Sequence, residues 1–250
     1  MTSSFALVMT AGLLWWSLLW QAVEERRFFK TLPLSSCSPS NLIAMTEGLI
    51  VLAIALVLPM GAELKSAAIL FGAAGLLIDR IHMRWRFRGP LSGGSDSITL
   101  LALTCVTLAA GADVFGFDPR IGEIALAYLG LQAVLSYVMA GLAKLKSSDW
   151  RSGRLLHDIA FLSPYPVPPA LQNFLRDRRP SFLRLIAWTV LLFELSFAFV
   201  ILDLRWLLCW LALAFAFHFL NALVLGLNRF TWAWLAAYPA VVFLASKIQS

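Results

Sequence analysis

Four polar side chains lie at or inside stretches that are otherwise apolar: Lys144, Glu194, His218 and Asn221. Lys144 closes the run Tyr137-Val138-Met139-Ala140-Gly141-Leu142-Ala143. At the edge of hydrocarbon its ammonium can snorkel to water as an anchor; held away from water, it can serve as a general base. Glu194 stands in the middle of LIAWTVLLFELSFAFVILD, with no charged neighbour within a turn. A carboxyl group there must be protonated, bonded to another helix or turned toward a polar cavity, so it is either a site acid or base or a lock between helices. His218 and Asn221 are three apart and share one helical face. A neutral imidazole donates from one nitrogen and accepts at the other, which suits a proton relay or ordinary bonding between helices. His82, His157 and His218 have no spacing that would gather them around a metal.

The elements that hold these groups follow from composition. Of 250 residues, 60% are hydrophobic and only 14% are charged, against roughly 25% in a soluble domain. Several uncharged runs approach the roughly 20 residues that a helix needs to cross about 30 Å of hydrocarbon, which excludes a water-soluble globule. Reading these runs against charged or Pro/Gly-rich breaks gives spans near 5–23, 42–60, 66–79, 97–117, 121–143, 182–202, 206–227 and 229–246. The expected fold is all-α, a polytopic transmembrane helical bundle with about eight spans, forming a single transmembrane domain over residues 1–250. The third run is short for a span. Short alternating segments are absent, so a barrel is excluded. Ser40 and Asn41 suit a helix start before the second span, Pro119 before the fifth, and Pro180 with Ser181 before the sixth. Residues 80–96 and 144–181 form two long basic breaks, the second containing Trp150, Gly153 and a proline-rich stretch at 163–169.

The net charge is +6. No basic stripe is interleaved with aromatics on a polar surface, so no nucleic acid is expected, and loops anchored to anionic membrane lipids account for the excess. Arg80, Arg84 and Arg88 recur at intervals of four and would give one basic helical face toward head groups or a partner subunit. Trp20, Trp85, Trp150 and Trp206 fall near span ends, where indole prefers the membrane interface. Cys37, Cys105 and Cys209 show no pair spacing, so no disulfide framework is expected. The first run lacks a preceding basic residue and ends in Glu24-Glu25-Arg26-Arg27 rather than a small-residue cleavage site, and reads as a retained span. In an eight-span arrangement Lys65, Arg120, Arg205 and Lys247 lie on one side, Arg184 just inside a span, and all other Lys and Arg on the opposite side. The positive-inside rule then places both termini away from the cytoplasm.

The segment Tyr137 to Leu145, followed by Asp149-Trp150 and Gly153, resembles a signature of the vitamin K-dependent gamma-carboxylase superfamily and its bacterial horizontally transferred transmembrane (HTTM) relatives. Glu194, His218-Phe219-Leu220-Asn221, Gly226 to Phe230 and Ala237-Tyr238-Pro239 are similar to its continuation, and Gly93-Gly94-Ser95-Asp96 is a weaker match. The resemblance implies a bacterial inner-membrane protein. It also implies that Lys144 would take a proton from a hydroquinone, with His218 and Asn221 positioning it or stabilising oxyanion charge. Glu194 takes a supporting role without a warrant from the family. Two departures count against gamma-carboxylation of a protein: no histidine occurs in Asp113 to Asp118 where the carboxylase has one, and the sequence ends at Ser250 where the carboxylase continues into a lumenal domain.

Two functions are therefore expected to compete. One is an accessory or structural subunit packing against a membrane-protein partner in a larger complex. The other is a membrane-embedded enzyme acting on a quinone or lipid, with Lys144 as base and a pocket among spans four to seven. Polar residues are too few to outline a conduction route, and no inverted repeat is evident, so a transporter or channel is not expected.

Overall fold

Backbone amides and carbonyls in hydrocarbon find no water, so an apolar run must close its hydrogen bonds on itself. The computed structural model describes residues 1–31, 61–86, 94–162, 167–176, 178–225 and 228–250. Within them are ten helices: α1 (Ser3–Thr31), α2 (Ala62–Arg86), α3 (Gly94–Val114), α4 (Arg120–Lys146), α5 (Ser148–Ser152), α6 (Arg154–Phe161), α7 (Pro169–Arg176), α8 (Pro180–Val200), α9 (Leu204–Leu225) and α10 (Asn228–Ile248). Six described segments are long and apolar enough to cross a membrane: Ser3–Val23, Gly94–Val114, Arg120–Lys146, Pro180–Phe199, Leu204–Leu225 and Asn228–Ile248. The chain is an all-α, polytopic integral membrane protein. The expected second span, 42–60, lies outside the described residues, as do Cys37, Ser40, Asn41, Arg88, Gly93, residues 163–166, Gly226 and Leu227.

Two starts follow the expected chemistry in modified form. Asp118 Oδ1 accepts from the Arg120 N–H at 2.9 Å to open α4. Pro180 occupies the first turn of α8, where its missing N–H costs nothing. Many hydroxyls inside the spans fold back on their own helix, as Thr104, Ser136, Thr189 and Ser246 do on the carbonyls of Leu100, Ala133, Leu185 and Phe243.

The chain divides into two compact units, the first made of Met1–Leu131, Trp232–Ile248 and Ser250, the second of Gln132–Thr231 and Gln249. In the first, α2 and α3 pack along each other and α1 packs on α3. The expected third span, 66–79, is only the middle of α2, which is 25 residues long in all. The charges at its far end do not stop the helix because they neutralise one another: Asp79 and Arg80 are buried and paired at 3.0 Å. This corrects the expected basic face. Arg80 turns inward to a carboxylate, while Arg84, 43% exposed, reaches Asp96 at 3.5 Å. Trp16, Trp20 and Trp232 form an aromatic cluster with centroids 6.0 to 6.3 Å apart, and Trp16 and Trp20 remain partly exposed.

Close packing in this unit depends on one missing side chain. A Cβ on Gly130 would land on the Ala240 carbonyl of α10, 2.8 Å from its carbon and 3.1 Å from Leu244 Cβ. Backbone cannot step aside as a flexible side chain can, so Gly130→Ala is expected to destabilise by about 2 kcal/mol, in the range of core overpacking. Gly75→Ala, where nothing lies within 4 Å, is the control. It should be neutral or slightly stabilising through helix propensity, and thermal unfolding in detergent measures both.

In the second unit α5 and α6 pack on α8, α7 on α6, and α9 on α8. The long basic break after span five is thus not one loop: it holds three helices of five, eight and eight residues. Elements so short give too few turns for a periodic signal to stand out.

Candidate functional site

The site in the second unit is built on one face of α4. Tyr137, Gly141 and Lys144 follow each other at four and three residues, so their Cα–Cβ bonds point the same way. Gly141 lets α8 come close; an added Cβ would meet the Leu195 side chain at 2.9 Å and Glu194 Cβ at 3.2 Å. One turn further on, Lys144 Nζ donates to both carboxylate oxygens of Glu194, each at 2.7 Å. Glu194 is 4% exposed and the Lys144 side chain 22%. Glu194 is thus bonded to another helix, one of the outcomes its place in an apolar run allows, and its partner stands fifty positions away in sequence; the Lys144 ammonium meets that carboxylate rather than water alone.

Trp150 supplies one wall. Its ring lies 5.0 Å from Lys144 Nζ, close enough for a cation–π contact, and its indole N–H donates to the Ala187 carbonyl at 3.0 Å. It is 9% exposed, which corrects the expectation of an interfacial indole. Trp20, Trp85 and Trp206 are exposed. Local signals seat the ring. Ser147 caps α5 by accepting from the Trp150 N–H at 3.2 Å, and Gly153, at φ 82°, ends α5 and begins α6. Ala187 and Leu191 of α8 complete the core around the indole, with Leu155, Leu156 and Ile159 against it.

His218 of α9 is buried, and its Nε2 lies 2.8 Å from the Tyr137 hydroxyl. The tautomer decides which of the two donates. Tyr137 stacks on Phe197 of α8, centroids 4.0 Å apart and planes within 6°. The Thr231 hydroxyl donates to the His218 carbonyl at 2.9 Å. Asn221, half-buried one turn along, is not hydrogen-bonded to Lys144, Glu194 or His218. The four expected residues thus resolve into an ion pair on α4 and α8, a tyrosine–histidine pair on α4 and α9, and an asparagine joined to neither. Tyr137 was not singled out from sequence, although its spacing from Gly141 and Lys144 was visible there. Among the described residues no group of three or more His, Cys, Asp or Glu could hold a metal ion.

A family model described as the HTTM domain matches residues 117–246, just over half of the chain. The chain belongs to the HTTM family. The HTTM match runs from the turn before α4 to near the end of α10, so it contains all four candidate residues as well as Tyr137, Trp150 and Gly153. Helices α1, α2 and α3 lie outside the HTTM match. No curated protein and no solved structure matches the chain. Chemically, this HTTM site holds one amine, one carboxylate, one phenol and one imidazole in two hydrogen-bonded pairs, each joining two different helices.

Proposed function

We propose that the chain is an accessory or structural integral-membrane subunit. It would form one transmembrane domain whose polar motif residues fasten the HTTM helices into a rigid scaffold that packs against a membrane-protein partner. The observation that carries this reading is the closed contact between Lys144 and Glu194. An amine donating to both oxygens of a carboxylate has no lone pair to offer a substrate, and the pair meets the demand of each charge for a partner in hydrocarbon. The Tyr137–His218 bond engages one imidazole nitrogen, Nε2. The positive-inside rule supports termini away from the cytoplasm, and the family resemblance supports a bacterial inner membrane. Purification from native membranes in mild detergent tests the reading. A stoichiometric membrane protein is expected to copurify; a monomer with nothing bound would end it.

One observation favours a second reading, an enzyme acting on a quinone or lipid-like substrate. The Lys144 side chain keeps 22% of its surface open. Passing a proton from the Lys144 ammonium to Glu194 would leave a neutral amine, and that amine is the base this reading needs. Turnover of a hydroquinone in native lipid that disappears in Lys144→Ala would establish it; equal turnover by both proteins would exclude Lys144 as the base.

A further inference from the structure

Helices α6 and α7 are eight residues each, about 12 Å long and far short of a span. Each is strongly two-faced. In α6, Leu155, Leu156 and Ile159 pack on the Trp150 core while Arg154 and His157 face out. The Gln172 side-chain amide of α7 donates to the Ala160 carbonyl of α6 at 2.9 Å, tying the two short helices into one layer at the end of α8. The outer surface of this layer mixes exposed arginines with exposed apolar side chains, Leu162 at 75% and Phe174 at 47%.

The arginines are mostly uncommitted. Arg154 pairs with Asp149 at 2.7 Å. Arg151, Arg176, Arg179 and Arg184 are exposed and form no ion pair among the described residues. Arg178 lies over the Phe174 ring at 4.1 Å and the Phe182 ring at 5.5 Å, with Nε donating to the Phe174 carbonyl, so one apolar wedge carries its own cation. The opposite end of the same unit, at the turn between α8 and α9, has one acid and one base, Asp203 and Arg205. The charge is concentrated at one end only.

We infer that the layer formed by α5, α6, α7 and the start of α8 is a docking face for anionic phospholipid head groups. Its arginines hold the phosphates, and Leu162 and Phe174 enter the acyl boundary. Short two-faced helices bearing both kinds of side chain suit the plane of the interface rather than its interior. Guanidinium groups match phosphate oxygens bidentately, and charge complementarity favours an anionic head group over a zwitterionic one. This surface is separate from the Lys144–Glu194 pair, and the inference stands whether or not the chain is a subunit.

The test uses the purified full-length chain in a neutral detergent, titrated with phosphatidylglycerol, phosphatidylcholine or inorganic phosphate while thermal unfolding is followed. Phosphatidylglycerol alone is expected to raise the Tm, and about 1 M salt should abolish the rise because the screening length falls to about 3 Å. Each arginine at an anionic surface contributes about fivefold in affinity. Arg151→Gln/Arg179→Gln/Arg184→Gln should therefore lose about a hundredfold in apparent affinity for phosphatidylglycerol, while the corresponding triple lysine variant keeps most of it. An equal rise with phosphatidylcholine, an equal response from inorganic phosphate, or an unchanged affinity in the glutamine variant would each overturn the inference. So would the loss of a copurified acidic protein from the glutamine variant with its lipid response intact, which would assign the face to a protein. If the glutamine variant unfolds without added lipid, the lysine variant and the salt dependence decide.

Discussion

Glu194→Leu is expected to cost about 3 kcal/mol of stability or more, because it strands the Lys144 ammonium in a largely dry site. For a chain of this length that is a fall in Tm of about 6–12 °C. Lys144→Met should cost a similar amount, for it leaves a buried carboxylate without its cation. The double variant, Lys144→Met with Glu194→Leu, should recover most of the loss, since neither charge then remains to be satisfied and two apolar side chains fill the gap. Thermal unfolding of the four proteins in one detergent completes the cycle. A double variant that is as unstable as the sum of the singles would show that the pair is not a mutual lock. It would also remove the main support for a scaffold role.

The second large effect is expected at Gly153. Its φ of 82° is left-handed, which costs an alanine roughly 1–2 kcal/mol, and a Cβ there would lie 2.6 Å from the Arg184 nitrogen and 2.7 Å from the Leu183 carbonyl carbon. Adding an overpacking cost of about 1–3 kcal/mol against backbone gives a loss of about 3 kcal/mol for Gly153→Ala. Gly116→Ala separates the two contributions. Gly116 has φ 65° with nothing within 4 Å, so only the left-handed conformation is penalised and about 1 kcal/mol should be lost. Equal losses at the two positions, read by thermal unfolding, would mean that the close approach of α8 at Gly153 contributes nothing.

These two sites also show what could be read from the sequence and what could not. The apolar runs near 5–23, 97–117, 121–143, 182–202, 206–227 and 229–246 each contain a helix, because hydrophobic length is a local property and the membrane leaves one backbone solution. Charge near a run end misled the third span, since Asp79 and Arg80 look like a stop in one dimension and are a neutral pair in three. The demand for a partner at Glu194 was legible. Which partner was not, because the answer depends on α8 lying against Gly141, a contact between segments separated by some fifty residues. Trp150 shows the same limit: an indole in a basic segment near a span end resembles an interfacial anchor until the carbonyl of Ala187 is placed opposite it. Tyr137 was hidden differently. A phenol near a span end is unremarkable in isolation, and the imidazole it bonds, His218, stands far away in sequence.

The distance along the chain between Lys144 and Glu194 bears on how the protein is made. At about 5–20 residues per second, the fifty residues between them take several seconds to synthesise. Throughout that interval the newly emerged lysine lacks the Glu194 carboxylate, and water at the bilayer border can satisfy its charge instead. The Lys144–Glu194 pair can therefore close only after α8 has been delivered.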